Sequence, residues 1–489
     1  MGKINIKSLV QKYNNMPVQV KASLWFLICS FLQKGISMLS TPIFTRILST
    51  EEYGQFNVFN SWYGIVTIFV SMNLYYGVYT QGLVKFDDDK KVFSSSLQGL
   101  STTLVLFWTI LYLIGYQFWN KLFSLTTVQM LAMLVMVWTT AVFNFWASEE
   151  RVEYRYKKLV ILTLLVSFAK PVLGVILVLF SEDKVTARIL GLVIVELIGY
   201  SGLYFVQMRR GKKFFSAKYW KYSLLFNIPL IPHYLSQVVL SSSDRIMISS
   251  MIGDSQAGIY SLAYALSSIM VIFNSALTST LNPWIYQKIK AKKINDIASV
   301  AYASLLIIAV VNLILILLAP EAVAIFAPNA YREAIYVIPP VALSVYFMYS
   351  YDLFAKFAFY HEKTKLIMLA SVVGAVLNIV MNYLFIGWFG YMAAGYTTLA
   401  CYIIYSVAHY LLMNKMCDQY YDGLRPYSVK KVLAISVPFI VMGFIFLFTY
   451  DYPLIRYGII VVVAVVAFIK RRKIIEVVKG MLALKKESA

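Results

Sequence analysis

Few side chains in this sequence are equipped for chemistry, and most of those that are lie inside long apolar runs. Lys34 sits near the middle of the first run. Ser30, Lys34, Ser37, Thr41 and Thr45 follow one another at steps of three or four and so share one helical face, with Arg46 closing the run. Further along come Lys170 before Pro171, then Glu196, then the adjacent Asp244 and Arg245 with Gln237 and Ser241 upstream. Asp352 and Lys356 stand four apart with the acid first, the favourable order for an internal ion pair. Asn274, Thr278, Asn282, Asn378 and Asn382 add amides and a hydroxyl. A charge at the bilayer centre costs about 2.5–3.5 kcal/mol on insertion scales, so it ordinarily faces a cavity or a partner. Arginine grips phosphate as a fork and lysine as a point charge. Lys34, Lys170, Arg245, Arg46, Thr41 and Lys356 are therefore candidates for holding an anionic, polar headgroup. Glu196, Asp244 and Asp352 are the acids well inside the runs and are candidates for a coupling ion, H+ or Na+. Structural pairing is the competing reading, above all for Asp352 with Lys356. Asp244 and Arg245 point about 100° apart on a helix and need not pair with each other.

Those residues need helices to carry them. The chain has 489 residues, 60% hydrophobic and 14% charged, against roughly 25% charged for a soluble domain. Tyr (37) and Trp (9) are abundant, as suits bilayer interfaces. With about 20 apolar residues needed per crossing, the candidate spans fall near 22–46, 56–80, 96–118, 126–148, 158–180, 186–206, 222–250, 256–284, 298–319, 333–359, 364–387, 390–413, 430–449 and 453–470. The first run is too long for a signal-peptide core and reads as a retained helix. With the N-terminus inside, 34 of the 44 lysines and arginines fall on the cytoplasmic side; six fall at outer loops or helix ends, among them Arg46, Lys184 and Arg188. Both termini are thus expected in the cytoplasm. The net charge of +21 reads as topology, with no nucleic-acid partner. The loops are too short for a folded domain. No GxxxxGK[ST], HExxH or GxSxG motif occurs, so neither ATP hydrolysis nor another enzymatic activity is expected. The three cysteines show no disulfide or metal-ligand spacing; no metal and no cofactor beyond a possible coupling ion is expected.

Two segments resemble each other. LSTEEYGQF (48–56) follows the first span and IGDSQAGIY (252–260) the seventh. Each has an apolar residue, a polar turn, a glycine, one residue and an aromatic. Their offset spans an even number of helices, so both enter the membrane in the same direction, as in parallel transporter repeats. The expected fold is an all-α polytopic membrane protein of about fourteen transmembrane helices, in two six-helix lobes plus two C-terminal helices. The division places the N-lobe at 1–206, a basic cytoplasmic linker at 207–221, the C-lobe at 222–413, and helices 13 and 14 with a basic cytoplasmic tail at 414–489. Pro42, Pro171, Pro339 and Pro340 fall within spans, where each removes a backbone donor and permits a kink.

The stretches TPIFTRILSTEEYGQFNVFNSW (41–62), NIPLIPHYLSQVVLSSSDRIMI (227–248) and AGIYSLAYAL (257–266) resemble the Wzx-type polysaccharide flippases of the MOP superfamily, which also holds the MATE exporters and the lipid II flippase. The resemblance extends over nearly the whole chain. It implies a bacterial inner-membrane protein that moves an undecaprenyl-pyrophosphate-linked oligosaccharide repeat unit to the outer leaflet by ion-coupled alternating access, for surface polysaccharide assembly. It also implies a cationic central cavity, a lipid-tail groove at helices 13 and 14, and membrane lipids, a polysaccharide polymerase and chain-length machinery as partners. A MATE-like drug or cation antiporter is an alternative, though it would favour unpaired acids where the first span carries Lys34. A membrane polymerase or glycosyltransferase is a third, and the short outer loops count against it.

Overall fold

A computed structural model describes residues 13–472. Lys3, Lys7 and Lys12 and the basic tail beyond 472 lie outside the described residues. Among those described, twelve helices are long and apolar enough to cross a membrane, and they coincide with twelve of the fourteen expected spans. The other two spans are also helical. The second, expected at 56–80, is shifted and interrupted: Thr50–Ser71, made less apolar by Glu51, Glu52, Asn57 and Asn60, is followed by a turn at 72–77 and the short helix Val78–Lys85. The fourteenth is the 17-residue Pro453–Ile469.

The first compact unit ends at Leu235. It contains α1 (Val18–Ile47), α2 (Thr50–Ser71), α3 (Val78–Lys85), α4 (Lys90–Ile114), α5 (Tyr116–Phe123), α6 (Thr127–Val152), α7 (Tyr156–Leu179), α8 (Lys184–Gly211), α9 (Ala217–Asn227) and the start of α10 (Ile231–Met251). The second unit begins at Ser236. It takes the rest of α10, then α11 (Asp254–Ser267), α12 (Ile269–Lys290), α13 (Ile297–Leu317), α14 (Ala319–Phe326), α15 (Ala334–Tyr360), α16 (Thr364–Phe389), α17 (Ala393–Tyr420), α18 (Val429–Leu447) and α19 (Pro453–Ile469).

Local chemistry explains the two similar segments. Ser49 caps α2: its hydroxyl accepts from Glu52 N at 3.1 Å while the Glu52 carboxylate accepts from Ser49 N at 2.7 Å, a capping box. At the second segment Gly253 holds φ +144°, which a side chain would strain, and the Ser249 hydroxyl donates to Asp254 at the start of α11. The same pattern of turn and aromatic is thus built from a side-chain cap in one copy and a glycine backbone in the other.

Glycines set the packing of α7 on α8. A Cβ on Gly191 would meet Gly174 Cα at 2.7 Å, so the two backbones approach as only small residues allow. In the second unit α15 is enclosed along most of its length, burying Tyr346, Tyr349, Phe354 and Phe357. It stays helical through Pro339 and Pro340, as α1 does through Pro42 and α7 through Pro171. The 207–221 segment is less of a loop than its charge suggested. α8 runs to Gly211, Lys212 closes it in the left-handed conformation, and α9 begins at Ala217.

Candidate functional site

The close approach of α7 and α8 places their polar side chains around one cavity in the first unit. It measures about 300 Å³ and is lined by Gln33, Ser37 and Ser40 of α1, Asn60 of α2, Ser167 and Lys170 of α7, and Arg188 of α8. Lys170 Nζ lies 2.6 Å from Glu196 Oε1, and Thr139 of α6 donates to Glu196 Oε2 at 2.7 Å. Glu196 is buried, whereas the Lys170 side chain stays 27% exposed. Each carboxylate oxygen thereby accepts one donor, and the ammonium keeps donor capacity towards the cavity. Arg188 is buried, its guanidinium stacked 3.4 Å from the Phe56 ring centroid and 3.8 Å from that of Phe44. Such cation–π stacking holds the guanidinium in place beside the cavity.

The cavity face of α1 is not the polar stripe as a whole. Ser37 belongs to both, but Lys34 is exposed and does not line this cavity. The Thr41 hydroxyl turns back to Ser37 O at 3.5 Å, and Thr45 is buried with its hydroxyl 3.3 Å from Pro42 O. Arg46 is exposed and donates to Pro42 O at 2.8 Å, using a carbonyl near the helix end. Arg188 was missed as a site residue because its position near the start of a span made it look like a loop charge. The only hint was its spacing from Gly191 and Glu196 on one helix.

In the second unit Asp244 is fully buried. Its carboxylate accepts from Tyr260 Oη at 2.6 Å, Asn382 Nδ2 at 2.6 Å and Thr398 Oγ1 at 2.9 Å. Thr397 donates to Asn382 Oδ1, and Ser243 donates to Asn378 Oδ1 at 3.1 Å. Three helices, α11, α16 and α17, thus converge on this acid of α10 with two hydroxyls and one amide and, among the described residues, no lysine. Arg245 points elsewhere, as its adjacent position requires: it donates to Ser241 O at 2.8 Å and stacks on Tyr264 at 4.2 Å. Asp352 and Lys356 pair with each other at 2.7 Å, and Thr278 donates to the other carboxylate oxygen at 3.3 Å. Lys356 is buried in this pair.

The three acids thus have different characters. Glu196 and Asp352 each sit against a lysine, while Asp244 is held by neutral donors. A buried carboxylate whose direct hydrogen-bond donors are all neutral is suited to taking up a proton or a small cation.

Comparison with known proteins adds the lineage. A model of the family described as polysaccharide biosynthesis protein matches residues 20–289. The chain belongs to that family. A second model, MatE, matches residues 229–384. This polysaccharide biosynthesis family member is 23% identical over 380 residues to the Lsg locus putative protein 1 of Haemophilus influenzae (strain ATCC 51907 / DSM 11121 / KW20 / Rd), covering 73% of this chain and 89% of the relative. Its fold matches that of the lipid II flippase MurJ in an inward closed conformation, with a TM-score of 0.69 at 15% identity over 92% of this chain and 99% of that one. It also matches an inward-facing multidrug resistance MATE family transporter of the MOP superfamily, with a TM-score of 0.61 at 12% identity over 79% and 95%. The Wzx-type resemblance and the all-helical MOP fold read from sequence both agree with these matches. The protein is a multi-pass membrane protein of the polysaccharide biosynthesis family and shares the fold of these two structures.

Proposed function

We propose that the protein translocates undecaprenyl-pyrophosphate-linked oligosaccharide repeat units across a bacterial inner membrane by alternating access, with both termini cytoplasmic, and that it is not an enzyme. One observation carries this reading: the first-unit cavity joins two cations, Lys170 and Arg188, to serine, asparagine and glutamine side chains within an otherwise apolar bundle. That lining suits a phosphate and the hydroxyls of the nearest sugar. It would repel the cationic drugs of an antiporter. At about 300 Å³ the cavity lies at the small end of ligand pockets, so it reads the phosphate end of the headgroup rather than a whole repeat unit. Lys34 and Arg46 keep cationic groups on α1 outside this lining, where they would assist the same anion. Asp244 is the coupling residue, exchanging a proton or holding Na+ among Asn382, Tyr260 and Thr398. Membrane lipids, the polymerase and the chain-length machinery are the expected partners.

The test is complementation of a deletion strain. Arg188→Gln is expected to stop surface polysaccharide and to accumulate lipid-linked repeat units facing the cytoplasm, with the protein still in the membrane. Arg188→Lys is expected to retain partial function. Full polysaccharide from Arg188→Gln would refute the role of this cavity. Drug sensitivity of the deletion strain with normal polysaccharide would favour the antiporter.

A further inference from the structure

Between Arg209 and Lys221 the sequence carries six basic residues and no acidic one. Arg210 is tied to Glu149 at 3.4 Å. Arg209, Lys212, Lys213, Lys218 and Lys221 are exposed and form no ion pair among the described residues. Asp87 and Glu153 hold Lys90 at 3.4 and 3.2 Å, and Asp89 accepts from Tyr219, within the segment, at 3.0 Å.

Charge retained on one side of a membrane explains the lysines but not the two residues between them. Phe214 and Phe215 are 42% and 56% exposed, and they are not on a loose loop. The backbone beneath them is pressed onto α4. A Cβ on Gly99 would meet Phe214 O at 2.0 Å, and one on Gly211 would meet Lys91 O at 2.1 Å. Lys213 N donates to Ser95 Oγ at 3.4 Å, and Trp220 Nε1 to Ser96 O at 2.9 Å. Phe215 meets the Trp220 ring edge-on at 4.8 Å. The small residues of α4 allow this close seat. The seat lies five to nine residues into α4 from Lys90, about 8–14 Å along the helix axis. Two phenylalanines fixed outward near a helix end and flanked by exposed cations form the pattern of an interfacial lipid-binding surface.

We propose that the Arg209–Lys221 segment binds anionic phospholipid headgroups, its lysines meeting lipid phosphates while Phe214 and Phe215 enter the acyl layer. The proposal rests on the cytoplasmic placement of this segment given above. It is tested on the purified full chain by native mass spectrometry and thermal shift, with phosphatidylglycerol and phosphatidylcholine as probes. Phosphatidylglycerol is expected to bind at least about tenfold more tightly than phosphatidylcholine, given roughly fivefold per surface cation. The surface variant Lys212→Gln/Lys213→Gln/Lys218→Gln/Lys221→Gln loses that preference. A control with the same charge change, Lys290→Gln/Lys292→Gln/Lys293→Gln/Lys415→Gln, keeps it. Phe214→Ser/Phe215→Ser weakens binding of both lipids. Retained preference in the first variant, or equal loss in the control, overturns the proposal. Labelling of Lys213→Cys, an exposed position at the headgroup level, by a membrane-impermeant maleimide in spheroplasts and inverted vesicles separates a wrong orientation from a wrong ligand.

Discussion

Lys170→Met separates a structural role of the Lys170–Glu196 pair from a transport role. At 2.6 Å and an effective dielectric of about 20, the Coulomb attraction is about 6 kcal/mol before desolvation. Glu196 is buried and Lys170 only partly exposed, so removing the lysine alone strands a buried carboxylate. The expected loss is about 3–5 kcal/mol, softened by the Thr139 bond that remains. Glu196→Gln alone leaves a half-solvated lysine that reorients into the cavity, and costs less. The double variant Lys170→Met/Glu196→Gln removes both charges and both desolvation costs, and most of the stability returns. The coupling energy from the cycle of four proteins is expected at about 2–4 kcal/mol, read as detergent-phase thermal or denaturant midpoints. Transport follows a different pattern: Lys170→Met and the double variant both fail to restore surface polysaccharide, because each lacks one of the two cavity cations. A double variant that regains both stability and polysaccharide would refute the substrate role of Lys170. A Lys170→Met protein as stable as the wild type would refute the pair itself.

Three further outcomes are expected. Asp244→Asn folds and removes the dependence of reconstituted transport on a proton or sodium gradient, whereas Asp244→Ala strands the donors of Tyr260, Asn382 and Thr398 and lowers stability by about 3–5 kcal/mol; gradient-dependent transport by Asp244→Asn would rule the residue out as the coupling group. Gly99→Ala forces the Phe214 backbone off α4, costs about 1–3 kcal/mol and speeds proteolysis at 212–216, while Gly202→Ala, where a Cβ meets nothing within 4 Å, does neither. Burial, with Lys363 second, lowers the His361 imidazole below its ordinary value, so the folded state binds fewer protons than the unfolded one. Stability from this group is full above about pH 6.5 and falls as pH drops below that; the acid slope of the melting midpoint should lessen in His361→Gln, which also loses the stack on Tyr420 at 3.8 Å.

The membrane class was settled by the linear sequence, because a crossing helix must be long, apolar and internally hydrogen-bonded wherever it packs. Composition and run length therefore placed the spans: twelve coincide with helices long and apolar enough to cross a membrane among the described residues, while the expected second span is interrupted by a turn at 72–77. The independence of Asp244 and Arg245 also followed from helix geometry alone, as did the pairing chance of Asp352 and Lys356 four residues apart. What the linear order left open was which polar groups share a space. Arg188 and Lys170 come together through the Gly174–Gly191 contact, and the removal of Lys34 from that lining depends on how α1 is rotated, which a stripe one face wide does not determine. The donors of Asp244 come from helices more than a hundred residues apart in the case of Asn382 and Thr398. The exposed Phe214 and Phe215 are held by glycine and serine on another helix. Periodicity reports the face of a single helix; only packing decides what that face meets.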